Sequence, residues 1–276
     1  MLDAAVHHAR GCFMGFDGEA MAVGLERAYH AGAFVEFLSK ATVAAVAPAL
    51  LVEPNDLESQ AAVLRLGGSV DPTAMANMRT IAAMRALQMS EAATCRPKSE
   101  AARRILSLRN GAVHMAITPA DELEIPDLLA AWIRMVFPVV GLTEDDFLGE
   151  EVAKVMAEAF GDLQVRTRKK IKEAGDRFHS WFDGKNPTQQ ALIRAAKEDL
   201  AKAPRHDYLE QIGCPACDSQ AWLLGQLDVW GEYEGPGETS LEWAIAMELL
   251  CGVCGLELDE VELAAIGIEP QPDWDI

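Results

Sequence analysis

Positive charge is missing from the last quarter of this chain. Of its 276 residues, 206–276 hold 16 Asp or Glu and no Lys or Arg. Such a segment repels phosphate, so it is excluded as a nucleic-acid contact. Long apolar runs are missing too: there is no stretch of about 18 uncharged apolar residues, and the apolar segment 41–52 is short and interrupted by Pro48. No signal-peptide pattern opens the sequence. These absences lead us to expect a soluble, cytoplasmic protein without membrane contact. A Gly-rich phosphate loop is also lacking, which argues against a nucleotide-binding regulator. Runs of β-branched residues are scarce, whereas Ala, Leu and Met abound, so helix is expected over most of the length.

The charge that is present is unevenly placed. Residues 1–165 hold 13 Lys+Arg against 22 Asp+Glu, and residues 166–205 hold 11 against 5. The basic middle includes Arg166, Arg168, Lys169, Lys170, Lys172 and Arg177 on one expected helix, 163–178. Three readings stand: a solvated helix face, a contact for an RNA backbone, or an internal partner for the acidic C-terminal region.

Helix signals recur along the first half. A long helix is expected to begin near Asp17 or Gly18, with Leu25, Tyr29, Phe34, Phe37, Leu38 and Val43 facing the core. Within it Glu36 and Lys40 stand i,i+4 in the favourable order and should pair on the helix surface. His7 and His8 have no metal-ligand spacing with another Cys or His and read as a surface pair. Pro48 and Pro54 break the long helix before a short one at 56–66, ended by Gly67-Gly68. Pro72 then opens a helix to about Ala93 with a stripe of Met75, Met78, Ile81, Met84 and Leu87. Ser99 is a plausible cap for the next helix, and 125–140 is a further apolar helix with Trp132 and Phe137 as core residues. Thr143 starts another helix, which runs on into the basic segment. Residues 183–187 form a turn before a last helix at 188–200.

The helix after Ser99 carries Arg109-Asn110-Gly-Ala-Val-His114. Histidine can give or take a proton near neutral pH, and the planar guanidinium of arginine matches phosphate oxygens. Together they suit metal-independent RNA cleavage, with attack by the 2′-hydroxyl and charge stabilisation by Arg109. Asn110 would orient either partner or contact phosphate. Five residues on an ideal helix turn roughly 140°, so the pair does not share one face; Gly111 could loosen the turn, or the groups could meet across a dimer axis. Glu36-Phe-Leu-Ser-Lys40, followed several helices later by Arg109-Asn110-x-x-x-His114, resembles the HEPN superfamily of helical nucleases over residues 1–140. That resemblance implies a helical bundle, a homodimer, a composite site built from Arg109, Asn110 and His114, and an RNA substrate. It also implies a toxin or antiviral defence role. Members that lack activity make a silent, dimeric binding or scaffold protein the alternative.

The strongest local signal lies further on. Cys214-Pro-Ala-Cys217 and Cys251-Gly-Val-Cys254 are paired C-x2-C knuckles, a spacing that brings four thiolates to one tetrahedral centre. Apolar runs at 221–230 and 241–250 read as strands linked by an acidic loop at 232–238, so the whole resembles a zinc ribbon. Disulfides are disfavoured in a cytoplasmic chain. Four Cys ligands leave no open position, so the zinc is expected to be structural. Cys12 reads as a packed thiol.

The expected architecture is therefore mainly α: a HEPN-like helical domain at 1–142, a helical basic connector at 143–205, and a small acidic zinc-ribbon domain (β) at 206–276 that could dock a protein partner.

Overall fold

The computed structural model describes residues 1–14, 20–54, 56, 59, 79–94, 98–115, 124–200, 208–230 and 241–268. Apart from Asp56 and Ser59, the expected helix at 56–66 with its glycine pair lies outside them, as do the start at Pro72 with Met75 and Met78 and the acidic loop at 232–238. The described residues are mainly helical, with a four-stranded antiparallel sheet near the C-terminus. The chain divides into two compact units, Met1–Ala157 and Glu158–Ile276.

In the first unit, α1 (Leu2–Phe13), α2 (Ala20–Val46), α3 (Ala83–Ala93), α4 (Glu100–Met115), α5 (Glu124–Val140) and α6 (Glu144–Leu148) follow in order. The 27-residue α2 is the pivot and touches α1, α3, α4 and α5. Phe34 and Leu38 of α2, Ile105 and Leu106 of α4, and Leu129 and Ile133 of α5 are all buried. Trp132 meets Phe34 edge-on at 6.0 Å. Tyr29 departs from the expected core stripe: it is 43% exposed. Pro48, which lacks an N–H, stops α2 and opens a 3-10 turn, Pro48–Leu51.

α3 starts later than the Met stripe suggests. Ile81 donates its N–H to the Leu51 carbonyl (2.8 Å), and Val52 pairs with Thr80 in an isolated bridge. Residues 79–81 are thus held extended, and helix begins only after Ala82. Ser99 caps α4 by accepting from the Ala102 N–H at 3.2 Å. Beside it, Arg103 makes a 2.8 Å ion pair with the buried Glu91, which also accepts from the Ser99 N–H. Burial pushes the Glu91 carboxyl up, opposed by these bonds.

The helix expected from Thr143 is two helices. Thr143 accepts from the Asp146 N–H to cap α6, and Gly149, at φ 84°, ends it. A positive φ suits glycine and breaks the α ladder. The 33-residue α7 (Glu150–Phe182) then begins, and the boundary between units falls within it.

In the second unit, Leu163, Thr167, Ala174, Phe178 and Phe182 line the buried face of α7 at the three- and four-residue spacing of one helix face. α8 (Pro187–Leu200) has Pro at its first position. Asn186 accepts from the Gln189 N–H (2.9 Å), and Gln189 accepts in return from the Asn186 N–H (3.2 Å). The strands β1 (Tyr208–Gly213), β2 (Gln220–Trp230), β3 (Leu241–Leu250) and β4 (Glu257–Asp259) pair antiparallel in the order β1-β2-β3-β4. Leu223 stands opposite Leu249, and Leu249 opposite Leu258. All three are buried in one core with Ala174, Phe178 and Phe182. A short α9 (Glu260–Ile266), fixed by an Asp259/Glu262 capping box, closes the unit.

Candidate functional site

The two knuckles are built alike. Cys214 donates its N–H to the Ser219 carbonyl (2.8 Å), and Cys251 donates to the Leu256 carbonyl (2.9 Å). In return Asp218 and Gly255 donate to the carbonyls of Cys214 and Cys251, at 3.0 and 2.9 Å. Both tight turns need a left-handed residue at the same place. It is Asp218 (φ 56°) in one and Gly255 (φ 73°) in the other, and Asp tolerates that region better than most side chains.

The four sulfurs lie within 4.8 Å of one another. Cys214 Sγ is 3.6 Å from Cys254 Sγ, and Cys217 Sγ is 3.7 Å from Cys251 Sγ. A disulfide needs about 2.05 Å, so these are free thiols in contact. A tetrahedral M–S bond of about 2.3 Å gives S···S edges of roughly 3.8 Å, which the observed spacings nearly match. The sulfurs also compete for protons: hydrogen bonds with Cys214 and Cys254 hold the Cys251 thiol far down, Cys251 in turn pushes Cys214 up, and Cys214 together with Cys251 pushes Cys254 up. A divalent cation would relieve that crowding by drawing negative charge onto all four. The donor set therefore fits a metal. α7 reaches this centre because Gly175 has no side chain: a Cβ there would stand 2.7 Å from the Ala216 carbonyl oxygen.

The motif of α4 is assembled differently. Arg109 Nη1 forms a 2.7 Å ion pair with Glu36 Oε2, and the other oxygen of Glu36 accepts from Lys40 at 2.6 Å. Lys40 is only 7% exposed and donates also to Thr80 Oγ1 at 2.9 Å. The expected surface pair is thus the half-buried centre of a network joining α2, α4 and the strand-like residues before α3. Gly32 makes the approach possible, since a Cβ there would overlap the Arg109 side chain.

Asn110 and His114 are both exposed on α4. The helix continues unbroken through Gly111, so Arg109 and His114 keep the angular separation of an ideal helix. Among the described residues, no hydrogen bond or ion pair joins His114 to Arg109.

A third cluster was not legible as such. His7 and His8 of α1 meet His30 of α2, with ring nitrogens within 4.8 Å of one another. The Nδ1 atoms of His8 and His30 are 2.8 Å apart. Phe37 stacks flat on His8 at 5.4 Å, and the exposed Tyr29 abuts both His8 and His30 edge-on. Burial lowers His8 to about 4, helped by the charges of His30, His7 and Arg109 and opposed by Glu36. Burial, with His7, lowers His30 as well. The sequence held one signal for the cluster: Gly11 inside a helical pattern, where glycine costs stability unless something must come close, and here His30 is what comes close.

The basic face of α7 is exposed, and Lys170 makes a two-oxygen ion pair with Glu262 of α9, at 2.8 and 2.7 Å. The cavity lined by Leu38, Ser39, Glu91 and Trp132 is only about 30 Å³. That is room for a water and not for a substrate. No helix among the described residues is long and apolar enough to cross a membrane. The chain matches no family model, no curated protein and no solved structure.

Proposed function

We propose that the protein is a cytoplasmic, metal-independent endoribonuclease of HEPN type, serving as a toxin or antiviral defence effector. Its C-terminal unit is a ribbon held by one structural zinc. The observation that supports this best is the 2.7 Å pair between Glu36 and Arg109, because it joins the two motifs on which the resemblance rests. Glu36, itself anchored by Lys40, holds one guanidinium nitrogen of Arg109 and leaves the rest of the donor fork for a phosphate oxygen. His114, exposed to solvent, takes the 2′-hydroxyl proton; the 2′-oxygen attacks phosphorus, the bond to the 5′-oxygen breaks, that oxygen takes a proton from solvent water and leaves as a hydroxyl, and a 2′,3′-cyclic phosphate results. Arg109 stabilises the charge that develops on the phosphorane-like transition state.

Because Arg109 and His114 diverge on one helix, a complete site takes Arg109 from one copy and His114 from the other copy in a homodimer. This gives a sharp test. Arg109→Ala and His114→Ala should each abolish cleavage of RNA, with the fold intact. A mixed dimer of the two variants should regain up to half the wild-type rate, because one of its two sites is whole. Both dead variants with no recovery in a proven mixed dimer would refute the shared site.

The second reading is a silent, dimeric binding or scaffold protein whose acidic ribbon docks a protein partner. It is favoured by one fact: within a single chain Arg109 is already engaged by a carboxylate and makes no contact with His114. Absence of cleavage by wild type, with RNA of varied sequence and structure, would select it.

A further inference from the structure

We infer that His7, His8 and His30 form a second metal site, for one divalent transition-metal ion of the zinc, nickel, cobalt or copper class. The site is chemically separate from the sulfur centre and stands apart from the ribonuclease reading, which uses no metal.

The geometry carries this. Three imidazoles with their donor nitrogens within 4.8 Å are the donors that borderline divalent ions select. The ring centroids stand 5.0 Å (His8–His30), 5.2 Å (His7–His8) and 5.9 Å (His7–His30) apart. Rings ligating one ion at about 2.0–2.1 Å in a tetrahedral array would have centroids roughly 5 Å apart and nitrogens roughly 3.3 Å apart. The 2.8 Å contact of His8 with His30 is shorter than that, and a small ring rotation opens it.

The rings are also held in place. Phe37 stacks on His8. Gly11, one turn along α1, clears room for His30, since a Cβ there would lie 2.5 Å from His30 Nδ1. Glu36 and Glu26 act electrostatically on His8 and His30 and offset the repulsion that Arg109 would exert on a cation. Three nitrogens leave the fourth position of a tetrahedron to water or to an added ligand.

The test uses the full-length, untagged protein carrying its resident metal, with Ni²⁺ as the probe. Equilibrium dialysis should show one Ni²⁺ taken up per chain, and X-ray absorption should show a nitrogen and oxygen shell without sulfur. His30→Gln should abolish this uptake. His7→Ala, which removes an exposed side chain outside the His8–His30 hydrogen bond, should weaken it by at least about 10-fold while leaving the melting temperature unchanged. The His7 variant keeps the test decisive even where His30→Gln loosens the packing of α1 on α2. Absence of uptake, uptake equal in wild type and His7→Ala, or sulfur in the nickel shell would overturn the site.

Discussion

Cys214 and Cys217 stand three residues apart, as do Cys251 and Cys254, and each pair is oriented by hydrogen bonds within its own turn. Glu36 and Arg109 come from two helices and stand 73 residues apart in sequence, and they meet only where Gly32 lets the helices close. One centre is made by local backbone geometry and two strand ends. The other is made by packing. A local centre depends on the residues of its own turns; a packed centre depends on residues that bear no functional group at all.

Removing a ligand should have the largest effect. Cys251→Ser should lose the bound metal and, with it, hydrogen-exchange protection at 208–230 and 241–268, while α2 and α4 keep theirs. Structural zinc contributes about 10–16 kcal/mol in small zinc-dependent folds, so a chelator should do the same to wild type. Loss of protection in both units together would erase the distinction drawn above.

A packed centre should fail at its glycines. Gly32→Ala should destabilise by about 1–3 kcal/mol, and the cost should shrink in an Arg109→Ala background, where the overlapping side chain is gone. Gly111→Ala is the matched control: it also lies in a helix, but nothing stands within 4 Å of its Cβ. It should be stabilising by roughly 0.5–1 kcal/mol. Denaturant midpoints of the four variants settle both; equal effects at Gly32 and Gly111 would mean that close approach is not what Gly32 provides.

A gentler effect is expected with pH. With no metal on the histidine cluster, burial lowers His8 to about 4 in the folded chain, against 6.5 for an unperturbed ring. Above pH 6.5 the ring is neutral in both states and contributes no pH dependence. Between about 6.5 and 4 the unfolded chain binds a proton that the folded chain refuses, so stability falls as pH falls through that window. His8→Gln should flatten the slope there, as read by thermal melts from pH 7 to 4; an unchanged slope would place the titration elsewhere.

The smallest effect belongs to the surface. Lys170 is half exposed, so its pair with Glu262 should contribute only about 0.2–1 kcal/mol and weaken in salt. A double-mutant cycle of Lys170→Ala and Glu262→Gln at low and high salt measures it. A coupling that salt leaves unchanged would mark the pair as more than a surface contact.

Legibility followed the same division. The four cysteines could be read because their meaning is carried by spacing, and the strands at 221–230 and 241–250 by apolar runs between punctuating glycines. The mainly helical character was legible from composition. The cluster of His7, His8 and His30 was not, because it exists only once α1 lies against α2, and no periodicity within either helix encodes that pairing. Thr143 reads correctly as a cap, but the sequence does not announce the break at Gly149: a lone glycine between Leu148 and Glu150 resembles a tolerated helical position until its φ is known. Glu36 and Lys40 form the ion pair that their spacing predicts. Its burial depends on Thr80 and Arg109, both remote in sequence.

The close seat of α7 on the first knuckle has a consequence in time. Ala174, Phe178 and Phe182 leave the ribosome well before the segment that covers them, because the last ligand, Cys254, follows Phe182 by about 70 residues. At roughly 5–20 residues per second, that is about 4–15 s during which an apolar stripe on a nascent helix has no cover. For that interval the stripe is open to non-native contacts, and the interval ends when the strands that carry the last cysteines arrive.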